Sequence, residues 1–294
     1  MNYSEAIQFL YDLRVFGLKF GLENTLRLAA LAGHPEESLR FIHVAGTNGK
    51  GSTCAMLESI YRAAGRRVGL YTSPHLVAFT ERIQVNRKPM AHADVVRLVE
   101  EMKSAALFGG PTEERPTFFE VVTVMALKYF AEQRCDLVIW ETGLGGRLDA
   151  TNIVTPLASV ITNVQFDHQQ WLGQTLPEIA REKAGIIKPG VPIITAANEP
   201  EAAQVIVETA RQLASPLIVV TRPLEGFEIG LAGEHQRLNG ALAAKVAEIL
   251  AGQLPLTMAD IRRGLKEARW DGRLQIVQRP TGQKVWLDGA HNPA

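Results

Sequence analysis

Runs of apolar, β-branched residues recur at 41–45, 67–72, 136–140, 157–161, 191–195 and 216–220, each too short for a helix. Their apolarity is continuous rather than alternating, the habit of strands covered on both faces in a parallel sheet. Between them, residues 53–64, 93–107, 118–133, 176–184 and 200–213 place apolar side chains at helical spacing. This alternation predicts an α/β fold, a parallel sheet flanked on both faces by helices. Beyond residue 220 the pattern weakens. It resumes as helices over 235–250 and 257–268, then as strand-like runs at 273–278 and 284–287 around a Pro280-Thr281-Gly282 turn.

A strand at 284–287 followed only by Asp288-Gly289-Ala290-His291-Asn292-Pro293-Ala294 has few partners left in the sequence. Residues 1–271 are therefore expected to form one domain, and 272–294 the start of a second that is mostly missing.

In parallel sheets the functional groups gather at the carboxyl ends of the strands. The first strand runs into FIHVAGTNGKGST, residues 41–53. Gly46, Gly49 and Gly51 let the backbone turn its N–H groups inward, Lys50 adds a positive charge, and Ser52 or Thr53 offers a hydroxyl to Mg²⁺. Such a loop expects a nucleoside triphosphate. The spacing departs from G-x-x-x-x-G-K-[ST], because Val44 and Gly51 stand where glycine and a hydroxyl are required. A Gly-rich corner that merely packs a helix on a sheet would not need a lysine and two hydroxyls together. The next tips carry Ser73, Glu141 and the segment from Asn163 to His168. Glu141 follows its apolar strand directly, where α/β nucleotide-binding proteins place an acid for Mg²⁺. Ser73 as a cap, His168 as a loop residue and Lys183 as a helix C-terminal lysine also have ordinary structural readings.

Composition narrows the partners. Thirty-one basic residues balance thirty-one acidic ones among 294, so no global field favours nucleic acid or an anionic membrane. With 46% hydrophobic residues, two cysteines (Cys54 and Cys135) and no signal-peptide pattern or membrane-length apolar run, a cytoplasmic location is expected.

The strings HVAGTNGKGS, YTSPHL, ERIQVN, ETGLGGRLDATN, ITNVQFDH, EKAGIIKPGVP, GEHQRLN, DGRLQIV and DGAHNP occur in this order over nearly the whole chain. Together they resemble the folylpolyglutamate synthase and dihydrofolate synthase family, a branch of the Mur ligases. The resemblance implies a Mur-ligase-type ATP-binding domain over 1–271 and a glutamate-ligase domain beginning at 272. It implies an ATP-dependent amide ligase that phosphorylates a dihydropteroate or folate carboxylate and then joins L-glutamate to it, acting as a monomer. Residues Thr47, Asn48, Gly49, Lys50, Gly51, Ser52 and Thr53 would cradle the phosphates. Ser73, Glu141 and His168 would hold magnesium, as two ions, and Lys183 would carry a carbamate. Thr117, Phe119, Arg147 and Asp149 would hold the pterin. Asn239, Arg273 and Asp288 would hold the nucleotide, and His291 would face the reaction centre beside Lys50, Lys183 and His168. With most of the second domain missing, these residues are expected to bind nucleotide but turn over poorly. The competing expectations are a Mur ligase for a UDP-muramyl acceptor, which ETGLGGRLDATN and YTSPHL disfavour, and a nucleotide-binding module without ligase activity.

Overall fold

The computed structural model describes residues 1–17, 21–104, 115–290 and 292. The chain opens with helices α1 (Tyr3–Asp12) and α2 (Glu23–Leu31), then β1 (Phe41–Ala45), α3 (Lys50–Ala63) and β2 (Val68–Tyr71). A hairpin of β3 (Ile83–Val85) and β4 (Lys88–Pro89) leads to α4 (His92–Ser104), α5 (Phe118–Glu132), β5 (Leu137–Glu141) and β6 (Ala158–Ile161). There follow α6 (Gln169–Leu172), α7 (Leu176–Ala184), β7 (Ile193–Thr195), α8 (Pro200–Gln212), β8 (Leu217–Val219), α9 (His235–Ile249) and α10 (Met258–Glu267). The hairpin β9 (Gln275–Gln278) and β10 (Lys284–Leu287) comes last.

The main sheet has the order β4-β3-β2-β5-β1-β6-β7-β8. The six strands anticipated from the apolar runs are its parallel members. Successive side chains leave opposite faces of a strand, and the core divides accordingly. Phe41, Tyr71, Val138 and Trp140 pack against α1, α2, α4 and α5. Ile42, Val44, Leu70, Ile139 and Val160 pack against α3, α9 and α10. At the far side Ala45, Ile161 and Ile193 meet α7 and α8. Double coverage explains why these strands read as unbroken apolar runs.

Two features differ from the sequence expectation, and a third runs beyond the described residues. The edge hairpin β3–β4 is antiparallel, turned by Asn86 and Arg87 in left-handed conformation (φ 48° and 64°), the geometry that matches strand twist. Helix α3 begins at Lys50 rather than 53, because Gly49 takes the left-handed cap position that lets the helix start at once. The helix expected over 93–107 is described only to Ser104, and its last residues lie outside the described ones.

Candidate active site

Gly46 (φ 153°) and Gly49 (φ 82°) turn the backbone from β1 into α3. A Cβ on Gly46 would stand 1.8 Å from Thr162 Oγ1, and one on Gly49 would stand 2.5 Å from Asn239 Oδ1, so neither position admits a side chain. The tip of β6 props the loop from beneath. Thr162 Oγ1 donates to Asn48 O (2.6 Å), Asn48 N to Asn163 Oδ1 (2.8 Å), and Thr47 N to Asn163 O (3.1 Å). Lys50 bends over the loop, its Nζ donating to Gly46 O and Thr47 O at 3.0 Å each. On the α9 side, Gln236 Nε2 donates to Ser52 Oγ (3.1 Å) and Asn239 Nδ2 donates to Gln236 Oε1 (3.0 Å). The Thr53 hydroxyl is buried without a hydrogen-bond partner among the described residues. Gly51 lies under Trp270.

Glu141 ends β5 and accepts a hydrogen bond from Ser73 N at 3.1 Å. Burial pushes its carboxyl pKa up to about 7, against the pull of the Lys50 ammonium, the Ser73 N–H, Arg273 and Arg82. A divalent cation beside such a carboxyl would favour its ionised form at neutral pH. The donor set of Glu141 with the neighbouring Ser73 therefore fits Mg²⁺. Lys183, on the last turn of α7, is 3% exposed. Burial first, then the charge of Lys50, pushes its pKa down to about 7, with Asp167 opposing. A large share of it is thus a neutral amine at physiological pH. His168 caps α6 with φ 49°, its half-exposed ring 3.8 Å from Asp167 Oδ1.

Beside these groups opens a cavity of about 620 Å³. Thr117, Phe119 and Asp149 line it, with Ser73, Gly143, Leu144 and Trp171. The tip of the Phe119 ring lies so close to Gly143 that a Cβ there would stand 2.5 Å from Phe119 Cζ. Thr117 caps α5, its Oγ1 accepting from Glu120 N. Asp149 accepts four bonds at once: Gly143 N (3.0 Å) and Leu144 N (2.8 Å) on Oδ2, and Thr151 N (3.0 Å) and Thr151 Oγ1 on Oδ1. Its oxygens shape the wall rather than point at a ligand. Arg147 is not among the lining residues; it pairs with Glu182 Oε1 (2.8 Å), which is. Phe118 is buried in the core and also lines the cavity.

Sequence reasoning missed Arg14 and Arg82, which bring positive charge to the cavity and stand over the Phe118 ring at 4.9 and 5.3 Å. It also missed Gln236 and Asn292. Asn292 exchanges two 3.0 Å amide bonds with Asn48 and donates to Asp167 Oδ2 at 3.1 Å, so the C-terminal segment touches the phosphate loop. Asn239 lies against that loop at Gly49. Arg273 Nη1 donates to Gly272 O at 2.9 Å, and the Asp288 carboxylate accepts from Leu274 N and Ala290 N, both 2.7 Å. His291 lies outside the described residues.

The Mur ligase middle domain matches residues 44–220, a span that takes in most of the sheet, the glycine-lysine loop and the cavity wall at 143–149, and it defines a protein of the Mur ligase class. The dihydrofolate synthase/folylpolyglutamate synthase of Bacillus subtilis is 43% identical over 317 residues, covering 99% of this chain and 73% of that one. A solved folylpolyglutamate synthase complex with AMPPCP and folate superposes with a TM-score of 0.91 at 34% identity, covering 100% of this chain and 78% of that one. E. coli FolC in complex with DHPP and ADP gives 0.83 at 35% identity, covering 98% and 71%. The chain belongs to the folylpolyglutamate synthase/dihydrofolate synthase family, ATP-dependent ligases that form C–N bonds.

Proposed function

We propose that this protein joins L-glutamate to the carboxylate of dihydropteroate, a reduced folate, or both, consuming ATP through an acyl phosphate and releasing ADP and phosphate. One observation carries the reading: Ser73 lines the cavity and also binds Glu141, whose carboxyl feels the charge of Lys50. The acceptor pocket and the phosphate loop thus meet at neighbouring strand tips. An anionic carboxylate must approach an anionic γ-phosphate, and the site has to concentrate positive charge there. The amides of Lys50, Gly51 and Ser52 at the start of α3 and the Lys50 ammonium face the phosphates, while the Thr47 and Asn48 N–H groups hold the loop to Asn163 and Thr53 closes the first helical turn. Ser73, Glu141 and His168 would hold Mg²⁺, as two ions, and the metal charge would offset the repulsion between the reactants.

Lys183, kept largely neutral by burial, can add its amine to CO₂ and lose a proton, leaving a carbamate anion suited to a place beside magnesium. Phe119 offers its face to a flat pterin. Asp149 acts by fixing the Gly143 and Leu144 backbone, and Arg147 acts from the rim through Glu182. Asn239, Arg273 and Asp288 meet the nucleotide, and His291 faces the reaction centre. The separate β9–β10 sheet from Gly272 onward is the start of the glutamate-ligase domain. The protein works as a monomer in the cytoplasm; among the described residues no helix is long and apolar enough to cross a membrane.

Because Trp171 lines the cavity, its fluorescence reports occupancy directly. Dihydropteroate should quench it saturably in the presence of MgATP, folate should compete, and Trp171→Phe should remove the signal. Equal quenching by a UDP-muramyl peptide, or none by any pteroate, would overturn the acceptor assignment.

A further inference from the structure

His43 sits in the middle of β1, three residues before the phosphate loop, paired with Trp140 of β5 and Ser159 of β6. It is completely buried, yet neither the phosphate site nor the acceptor cavity uses it directly. Its Nε2 lies 2.9 Å from Thr151 Oγ1. That hydroxyl has one hydrogen, and it goes to Asp149 Oδ1. Thr151 Oγ1 can therefore only accept from His43, which fixes the imidazole as the neutral tautomer with its proton on Nε2. The other nitrogen, Nδ1, is buried and has no partner among the described residues, as a bare lone pair can tolerate better than an N–H. Burial, with the charge of Lys188 assisting, pushes the His43 pKa down to about 3, so the donor does not switch off or gain charge near neutrality.

The chain of bonds continues. Asp149 uses its second oxygen to hold Gly143 N and Leu144 N, two residues that line the cavity. Trp140 Nε1 donates to Thr151 O at 2.9 Å and anchors the same residue from the neighbouring strand. We propose that His43 is a positioning residue: as a fixed Nε2–H donor it orients Thr151 so that Asp149 holds the cavity wall in register with the strand that carries the phosphate loop. The acceptor wall and the phosphate loop are then aligned through one imidazole. The geometric part stands on the hydrogen bonds alone; its consequence for the acceptor rests on the function proposed above.

Glutamine at position 43 keeps an N–H donor near the place of Nε2, whereas leucine removes it. Amide hydrogen exchange at Gly143 and Leu144, measured against the α8 amides, should rise about tenfold in His43→Leu and stay near wild type in His43→Gln. Dihydropteroate binding should weaken by a similar factor in His43→Leu while MgATP binding moves less than about twofold. Thr151→Val, close to isosteric, should loosen the same two amides and serves if His43→Leu does not fold. Unchanged exchange in His43→Leu and Thr151→Val, or equal loss in His43→Gln, would overturn the positioning role. If exchange responds as stated but the wild-type protein binds no pteroate, the relay stands and the acceptor reading fails. If pteroate binds and exchange does not respond, the relay alone fails.

Discussion

The glycine-lysine loop is one continuous segment, residues 46–53, whereas the cavity gathers Arg14, Ser73, Thr117, Phe119, Asp149 and Trp171 from five separate segments of the chain. The loop is rigid by exclusion: a side chain at Gly46 or Gly49 would collide with Thr162 or Asn239. The cavity wall is rigid by attachment, through the four bonds on Asp149. A phosphate presents the same shape in every nucleotide, so a short backbone cradle suffices. An acceptor of particular shape needs surfaces brought from distant segments.

Substitutions should separate the two regions. The largest effect falls to Lys183, near the phosphate side. Its folded pKa is depressed from 10.5 to about 7, so between those values the unfolded chain holds a proton that the folded protein has released. In CO₂-free buffer the contribution to stability is fully present above pH 10.5 and is lost as pH falls to about 7, by on the order of a few kcal/mol. Urea unfolding at stepped pH should show this slope in the wild type and not in Lys183→Met.

Gly46→Ala forces a Cβ against Thr162 and should cost about 2 to 3 kcal/mol of stability. It should weaken MgATP binding strongly while sparing dihydropteroate, as paired calorimetric titrations would show. Asp149→Ala should do the reverse. It leaves the Gly143 and Leu144 amides without their acceptor, at about 1 to 3 kcal/mol, and should weaken pteroate far more than MgATP. Arg147→Ala breaks a half-exposed ion pair with Glu182 at the rim. It should change stability by less than about 1 kcal/mol and pteroate affinity by less than about twofold; a larger loss of affinity would show direct contact with the acceptor.

Five of the six parallel strands were legible because burial on both faces writes itself as unbroken apolarity, while β8 keeps its apolar run at the sheet edge with Val219 half-exposed. The β3–β4 hairpin was not, because Ile83–Val85 and Lys88–Pro89 are too short to show a period and their pairing rests on Asn86 and Arg87. The loop at 46–53 could be singled out because its glycines, lysine and hydroxyls are contiguous. Glu141 and Ser73 could be suspected from their strand tips, but their contact depends on strand order, which places β2 beside β5. Arg14 and Arg82 carried no local signal, since a charged residue beside apolar ones reads the same on any helix face. Asn292 and Gln236 stand within the recognised strings DGAHNP and GEHQRLN, yet only the folded chain shows them touching Asn48 and Ser52.

Thermal unfolding with ligands added in sequence asks most directly whether both regions serve one reaction. MgATP should raise the midpoint, and dihydropteroate should raise it further, because each ligand stabilises the folded state it binds. A UDP-muramyl peptide should add nothing to MgATP. Stabilisation by the muramyl peptide and none by dihydropteroate would contradict the folate-ligase reading while leaving the phosphate loop in place.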